Sequence, residues 1–407
     1  MTHIARQRDD LPLRLITAPA SAPVSAPATP YLDLDLAVVR RQLAAIRAAL
    51  PGTAIHYAVK CNPHARIISA LAAEGSNFEI ASIAELDLLL DAGAAYGSLL
   101  YSNPVKAPAH IAYAHAKGVR FFAADCADEI DKLARHAPGC SVILRIDVSN
   151  VGSVVPLAGK FGADPADVPA LAVLARSRGL TVKGLTFHVG SQALDPRQWR
   201  DALVVCGQVM RQMLAVGLRI SLIDLGGGYP VPYDGPVVPV AAIGLAVRDG
   251  AAELPYEVDF AAEPGRFLTA EAGTMVASVI GRASRRGEDW LHLDIGAFGG
   301  LMEALETRRG LRYPIRCTHA HGALPPRLVP MAITGPTCDS EDTILTDALV
   351  CRELRTGDVV HLGLAGAYTT AYASTFNGFP LPAVITREHV VPSPSLHTSY
   401  DLAVSHA

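Results

Sequence analysis

The chain has 407 residues, 50% hydrophobic and 18% charged, with a net charge of −4. That is enough apolar material for a large core and a second, smaller one, and it offers no basic stripe for a nucleic acid. No apolar run reaches the roughly 18 residues of a membrane span, and the seven scattered cysteines, an odd number without a CxxC pair, suit a reduced cytoplasmic protein.

The opening MTHIARQRDD lacks the apolar segment of a secretory leader. SAPVSAPATP (21–30) reads as a loop or mobile arm, and residues 1–34 as an N-terminal arm whose strand joins a later β domain. From residue 36 the pattern is regular: LAVVRRQLAAIRAAL predicts an amphipathic helix. Eight short β-rich runs follow at 54–60, 77–82, 98–103, 120–125, 141–147, 182–190, 222–228 and 257–265. Helical stretches such as HARIISALAAE, SIAELDLLLDAG and DPADVPALAVLARSRG lie between them. Strands alternating with helices imply a parallel sheet. Eight repeats over residues 35–270 predict an α/β fold, a (β/α)8 TIM barrel. The competing doubly wound sheet would carry GxGxxG after its first strand, and none is there. Beyond residue 270, short strands split by Gly, Pro and Asp predict a mainly β domain over 271–407.

In such a barrel the chemistry lies at the C-terminal ends of the strands. Lys60 closes the first run, Glu79 lies in the second and Arg145 in the fifth. His188 and Ser191 follow the sixth, Gly226, Gly227 and Gly228 end the seventh, and Glu263 and Arg266 end the eighth. Singly, each has a plain reading: a solvated lysine, a satisfied histidine, a turn. Together on one rim they point to a ligand. Glycines bare their N–H groups to an anion and an arginine offers a fork to phosphate. An imidazole can stack on a flat ring, a carboxylate can hold the proton of a ring nitrogen, and a lysine amine can condense with an aldehyde. Pyridoxal phosphate, an electron sink for amino-acid carbanions, satisfies the whole set.

The motifs YAVKCNP, FEIASIAEL, FHVGSQ, DLGGGYP, EPGRFL, GPTCDSED and GAYTTAYASTFNGFP occur in that order. In them the chain resembles the barrel-fold pyridoxal-phosphate decarboxylases of ornithine, lysine, diaminopimelate and arginine. DIGAFGGLMEAL and RYPI are similar to the bacterial ornithine or lysine/ornithine branch. The resemblance implies that Lys60 carries the cofactor as a Schiff base, His188 stacks on its ring and Glu263 pairs with its ring nitrogen. It implies that Ser191, Gly226, Gly227, Gly228, Arg266 and Tyr368 hold the phosphate, with Arg145 also on the cofactor side. Glu79 stands where eukaryotic relatives usually carry aspartate. Cys338 would protonate the α-carbon and Asp339 bind the distal ammonium, both reaching the site from a second subunit, with Phe376 at the interface near the site. The active unit would then be a homodimer with shared sites. Where eukaryotic ornithine decarboxylases carry a Tyr-Asp pair, this chain offers Glu303 and Glu306 as substrate contacts. The implied reaction is decarboxylation of a basic amino acid, L-ornithine to putrescine, with lysine or another diamino acid as alternative.

Three other readings compete. An amino-acid racemase shares barrel and cofactor in related families, but it typically sets an arginine against the ring nitrogen, where this chain has Glu263. A non-catalytic homologue that regulates polyamine enzymes could dispense with Lys60 or Cys338, and both are present. A metal enzyme could use Cys317, His319 and His321, whose alternation places them on one face of a strand, without an evident fourth ligand.

Overall fold

The computed structural model describes residues 28–94, 99–157, 159–308, 310–318 and 327–388. The eight predicted β-rich runs become eight parallel strands: Ala54–Ala58, Asn77–Ile80, Leu100–Tyr101, Phe121–Ala124, Ser141–Arg145, Thr181–Thr186, Leu222–Asp224 and Asp259–Ala262. They close into a barrel, the last strand pairing with the first through Ala261–Ala54 and Ala262–Ile55. Covered by helices outside and by packed side chains inside, such strands read as continuous apolar runs rather than as alternation.

Local chemistry sets where the helices start. Asp35 caps Leu36–Ala49 by accepting from Ala37 N–H at 2.9 Å. Ser82 caps Ile83–Asp91 by accepting from Glu85 N–H at 3.2 Å, and Glu85 reaches back to Ala81 N–H at 2.7 Å. This is a variant of the reciprocal capping pair, and it fixes the chain immediately after the strand that carries Glu79.

The second domain is an eight-stranded sheet. Gly273–Arg285, its longest strand at 13 residues, pairs with Glu288–Leu293 on one side and Val359–Leu362 on the other. Tyr31–Asp35 joins it, antiparallel to Gly273–Arg285 and parallel to Ala383–Arg387. Leu328–Thr334 is legible as a strand, and Ile315–Thr318 covers Cys317, whose alternation with His319 and His321 also suggests one. Thr343–Cys351 and Ala383–Arg387 are not legible, and neither is the one-turn helix Glu303–Glu306. Thr343–Cys351 carries Thr346 and Asp347 mid-strand, and these break its apolar pattern.

The two domains meet through bare backbone. Ala365 N–H donates to Gly273 O at 2.9 Å and Gly366 N–H to Ala270 O at 3.1 Å. A Cβ on Gly366 would lie 1.8 Å from Thr269 O, a backbone atom with little freedom to retreat. Beyond this junction Tyr368 N–H donates to Cys61 O at 2.8 Å, and Asn62 Nδ2 donates to Gly366 O at 2.8 Å. The second domain therefore grips the turn that carries Lys60. Gly366→Ala should cost about 2–3 kcal/mol, the upper part of the usual overpacking range, read as lost unfolding free energy in denaturant. A loss below about 0.5 kcal/mol, the usual scatter of surface substitutions, would mean that the junction yields freely.

Candidate active site

Lys60 stands on the turn Val59–Cys61, just past the first barrel strand rather than in it. Asn62 N–H closes onto Val59 O at 3.1 Å, and the Tyr57 hydroxyl donates to Asn62 O at 2.9 Å. The Lys60 ammonium donates to Glu79 Oε2 at 2.7 Å. Its side chain keeps 44% exposure because it lines the open mouth, while Glu79 is almost fully enclosed at 1%. The crowding of protein around the amine opposes its charge. Glu79 first, then Tyr368 and Glu263, overcome that and hold the amine above its ordinary range.

Glu263 follows the eighth strand, its N–H donating to Gly226 O at 2.8 Å and its carboxyl accepting from the Ser102 hydroxyl. Beside it, at the end of the seventh strand, lies Asp224, which is buried. Asp224 accepts from Gly226 N–H at 3.0 Å and Thr186 Oγ1 at 2.9 Å, and it shares a hydrogen bond with Glu263. Burial first, then the Asp224 charge, pushes Glu263 up to about 8. Arg145 ends the fifth strand within the field of Glu263, Asp125, Asp224 and Glu79, and its guanidinium stands 5.5 Å from the centre of the Phe161 ring.

His188 Nδ1 accepts from Gly190 N–H at 3.0 Å, which leaves the proton of the neutral ring on Nε2. Burial first, then Arg145 and Lys60, lowers it to about 3, so the imidazole is uncharged at neutral pH. A Cβ on Gly227 would lie 3.3 Å from His188 Nε2 and 2.9 Å from Glu263 O. Gly226 and Gly228 adopt φ of +62° and +101°, and a Cβ on them would meet Phe187 O at 2.1 Å and Gly190 O at 2.4 Å. The glycine run is thus required by its neighbours at all three positions.

A second pole surrounds Arg266. Its guanidinium donates to Ser191 Oγ at 3.3 and 3.2 Å and to the Tyr233 hydroxyl at 3.2 Å, and it lies 4.8 Å from the centre of the Tyr368 ring. Glu303, expected to face the substrate, instead accepts from both terminal nitrogens of Arg266, one of these bonds at 2.6 Å, and is only 5% exposed. A planar carboxylate and a planar guanidinium match two bonds at once, and this match turns Glu303 inward. Glu306, a turn later, is exposed.

Cys338, Asp339 and Phe376 are exposed on the second domain. The Cys338 thiol donates to Asn377 Oδ1 at 3.5 Å, Asp339 Oδ1 accepts from Glu341 N–H at 2.9 Å, and Phe376 packs on Phe298 with ring centres 4.7 Å apart. Among the described residues neither Cys338 nor Asp339 hydrogen-bonds to the barrel mouth. Buried Asp342 anchors their loop, accepting from Ala297 N–H at 2.7 Å and Thr337 Oγ1 at 2.7 Å. His319 and His321 lie outside the described residues, and among those described no cluster of three metal-ligating side chains forms.

Residues 36–270 match the pyridoxal binding domain of the pyridoxal-dependent decarboxylases. The lysine/ornithine decarboxylase of Selenomonas ruminantium is 35% identical, covering 88% of this chain and 90% of its own. The chain belongs to this decarboxylase family. Ornithine decarboxylase of Schizosaccharomyces pombe is 34% identical over 87% of this chain and 82% of its own length. Among solved structures, the lysine/ornithine decarboxylase of Vibrio vulnificus complexed with cadaverine superposes with a TM-score of 0.81 at 34% identity, covering 89% of this chain and 95% of that one.

The enzyme is a pyridoxal-phosphate-dependent amino-acid decarboxylase, and its donor set fits the cofactor. One pole offers an amine, buried carboxyls and Glu79 Oε1, a buried oxygen without a partner. The other offers a guanidinium, a hydroxyl and bare glycine backbone. A neutral imidazole, that of His188, lies beside the glycine run. The Asp224 contact was missed from the sequence although Asp224 stands one residue short of the glycine run, because an aspartate at a strand end reads equally well as a turn residue. Ser102, Tyr233 and Asn377 carry no such signal singly.

Removing the Asp224 charge should ease ionisation of Glu263. Asp224→Asn is therefore expected to bring Glu263 down from about 8 toward its ordinary 4.5. A carboxyl raised on folding stabilises the native state below its unfolded value and loses that contribution as pH rises through its folded value. The cofactor-free wild type should thus lose stability between about pH 4.5 and 8, and the variant should show a flatter profile over that window. Carbon NMR of labelled glutamate reads the titration directly. Unchanged midpoints would show that Asp224 does not bear on Glu263.

Proposed function

We propose that the enzyme decarboxylates a diamino acid, L-ornithine to putrescine, with lysine to cadaverine as the second substrate. The observation that carries this reading is Lys60 paired with Glu79 at 2.7 Å in a barrel mouth that also holds Glu263. The relatives named lysine/ornithine and ornithine decarboxylase support the choice of side chain.

In this reading Lys60 would hold the cofactor's aldehyde end, His188 would meet its ring, and Glu263 would pair with its ring nitrogen, with Arg145 and Glu79 at the same pole. Ser191, Gly226, Gly227, Gly228, Arg266 and Tyr368 would hold the phosphate. When bound, the cofactor supplies a sink for the electron pair left on the α-carbon as carbon dioxide departs. Glu263 would hold a proton at the ring nitrogen and so favour that sink. Glu79 keeps the Lys60 amine protonated while it is free. The proton delivered to the α-carbon comes from Sγ of the partner subunit's Cys338. The partner subunit's Asp339 receives the distal ammonium, which is too costly to bury unpaired.

Exposure supports a homodimer with shared sites. Cys338 lies beside an open apolar surface where Tyr372 is 41%, Phe376 41%, Phe379 39% and Leu381 53% exposed. All seven cysteines are free, which supports a reducing, cytoplasmic setting. No helix among the described residues is long and apolar enough to cross a membrane.

Incubation with a panel of amino acids should release putrescine from ornithine with the highest kcat/KM, or cadaverine from lysine, while neutral amino acids react far more slowly. Asp339→Ala should reduce kcat/KM for the diamino acids by roughly 30-fold, the effect of removing one partner of a charge pair worth about 2 kcal/mol. Fast turnover of neutral amino acids by the wild type would overturn the assignment, and an unchanged selectivity ratio in the variant would place the ammonium contact elsewhere.

Shared sites make a second expectation. Lys60→Ala and Cys338→Ala subunits, each inactive alone, should recover about a quarter of the wild-type sites after random pairing, since half the pairs are mixed and one site in each mixed pair is intact. No recovery, with subunit exchange demonstrated by mass, would mean that each chain completes its own site.

A further inference from the structure

The Arg266 guanidinium has five N–H groups, and all five are engaged. Nε–H and one N–H of the second terminal nitrogen meet Ser191 Oγ at 3.3 and 3.2 Å. One N–H of the first terminal nitrogen meets the Tyr233 hydroxyl at 3.2 Å. The remaining two, one from each terminal nitrogen, go to the two oxygens of Glu303. Both side chains of this pair are buried, at 5% and 6% exposure, and the Tyr368 ring lies under the guanidinium at 4.8 Å. Glu303 is reached from the second domain, 37 residues along the chain. It occupies one edge of the planar fork. The adjacent edge, Nε with the second terminal nitrogen, is left turned to Ser191.

A guanidinium pinned along one edge can present only the other. Ser191 is the one partner on that outward edge, and a small hydroxyl can turn to share an incoming oxygen. Tyr233 and Tyr368 fill the flanks, so the plane of the fork is fixed as well as its edge.

We infer that Glu303 is a positioning residue for the cofactor's phosphate group: it locks Arg266 so that the Nε edge faces the phosphate, and it does not read the substrate. This rests on the proposal that Ser191, the glycine run and Arg266 take the phosphate. It assigns the acid of the GGLMEAL segment to cofactor retention and leaves diamino-acid recognition to other groups.

The test compares two ligands that differ only in the phosphate. The full chain, stripped of cofactor, is titrated with pyridoxal phosphate and with pyridoxal by absorbance and fluorescence. Wild type should bind the phosphorylated form far more tightly. Glu303→Ala should weaken pyridoxal phosphate at least tenfold and pyridoxal by less than twofold, and Glu303→Gln, which keeps one oxygen toward the guanidinium, should fall between. If the alanine variant does not fold, the glutamine variant carries the same comparison. With cofactor saturating, the ratio of kcat/KM for ornithine and lysine should match wild type. Equal weakening of both ligands, or none, would overturn the inference, as would a changed ornithine-to-lysine ratio with cofactor affinity intact. If wild type itself does not favour the phosphorylated ligand, the phosphate assignment of the Arg266 pole fails and this inference falls with it, an outcome distinct from a failure of Glu303 alone.

Discussion

Buried charge at the mouth of the barrel must be balanced, and the rest of the site follows from how this is done. Lys60 and Arg145 are the cations of the first pole, and Glu79, Asp224 and Glu263 are its buried carboxyls, with Asp125 also in the field of Arg145. The carboxylates outnumber the cations, and burial penalises the uncompensated charge. One proton retained between Asp224 and Glu263 reduces that excess, and the shared hydrogen bond gives that proton a place. Glu79 is then free to serve Lys60 alone, which keeps the amine in a fixed position on its turn. His188 is neutral chiefly because it is buried, and the charges of Arg145 and Lys60 oppose a further positive charge there as well.

The second pole solves the same problem with one pair. Arg266 and Glu303 cancel each other's charge in the interior, so the guanidinium is carried there without a net buried charge. The carboxyl cluster of Glu263 and Asp224 and the Arg266–Glu303 pair are thus balanced separately. A side chain on Gly227 would crowd both Glu263 O and His188 Nε2.

Much of this is legible in the sequence, for physical reasons. Barrel strands buried on both faces appear as apolar runs, and their spacing marks the helices between them, so all eight were placed. Lysine, histidine, glycines, glutamate and arginine at strand ends stand out because those positions otherwise favour apolar residues. The partners of those residues do not stand out. Glu303 reads as a substrate contact beside Glu306, and only the three-dimensional path of the second domain shows that it faces Arg266. Thr343–Cys351 is hidden in the same way, because its burial depends on neighbouring strands and not on its own alternation.

The dependence on the second domain goes further than Glu303. The match to the pyridoxal binding domain ends at residue 270, yet the turn that carries Lys60 is held from beyond it, by Tyr368 N–H on Cys61 O and by Gly366 O on Asn62. Tyr368 sits at φ +52°, a conformation a bulky residue adopts only when its surroundings impose it. Gly366, two residues earlier, approaches the backbone of Thr269 and Gly273 closer than any side chain allows. Tyr368 touches both poles, the turn of Lys60 through its N–H on Cys61 O and Arg266 through its ring. The junction between the domains therefore bears on both poles at once. A barrel separated from its β domain would lose the contacts that hold Tyr368 against the Lys60 turn and against Arg266.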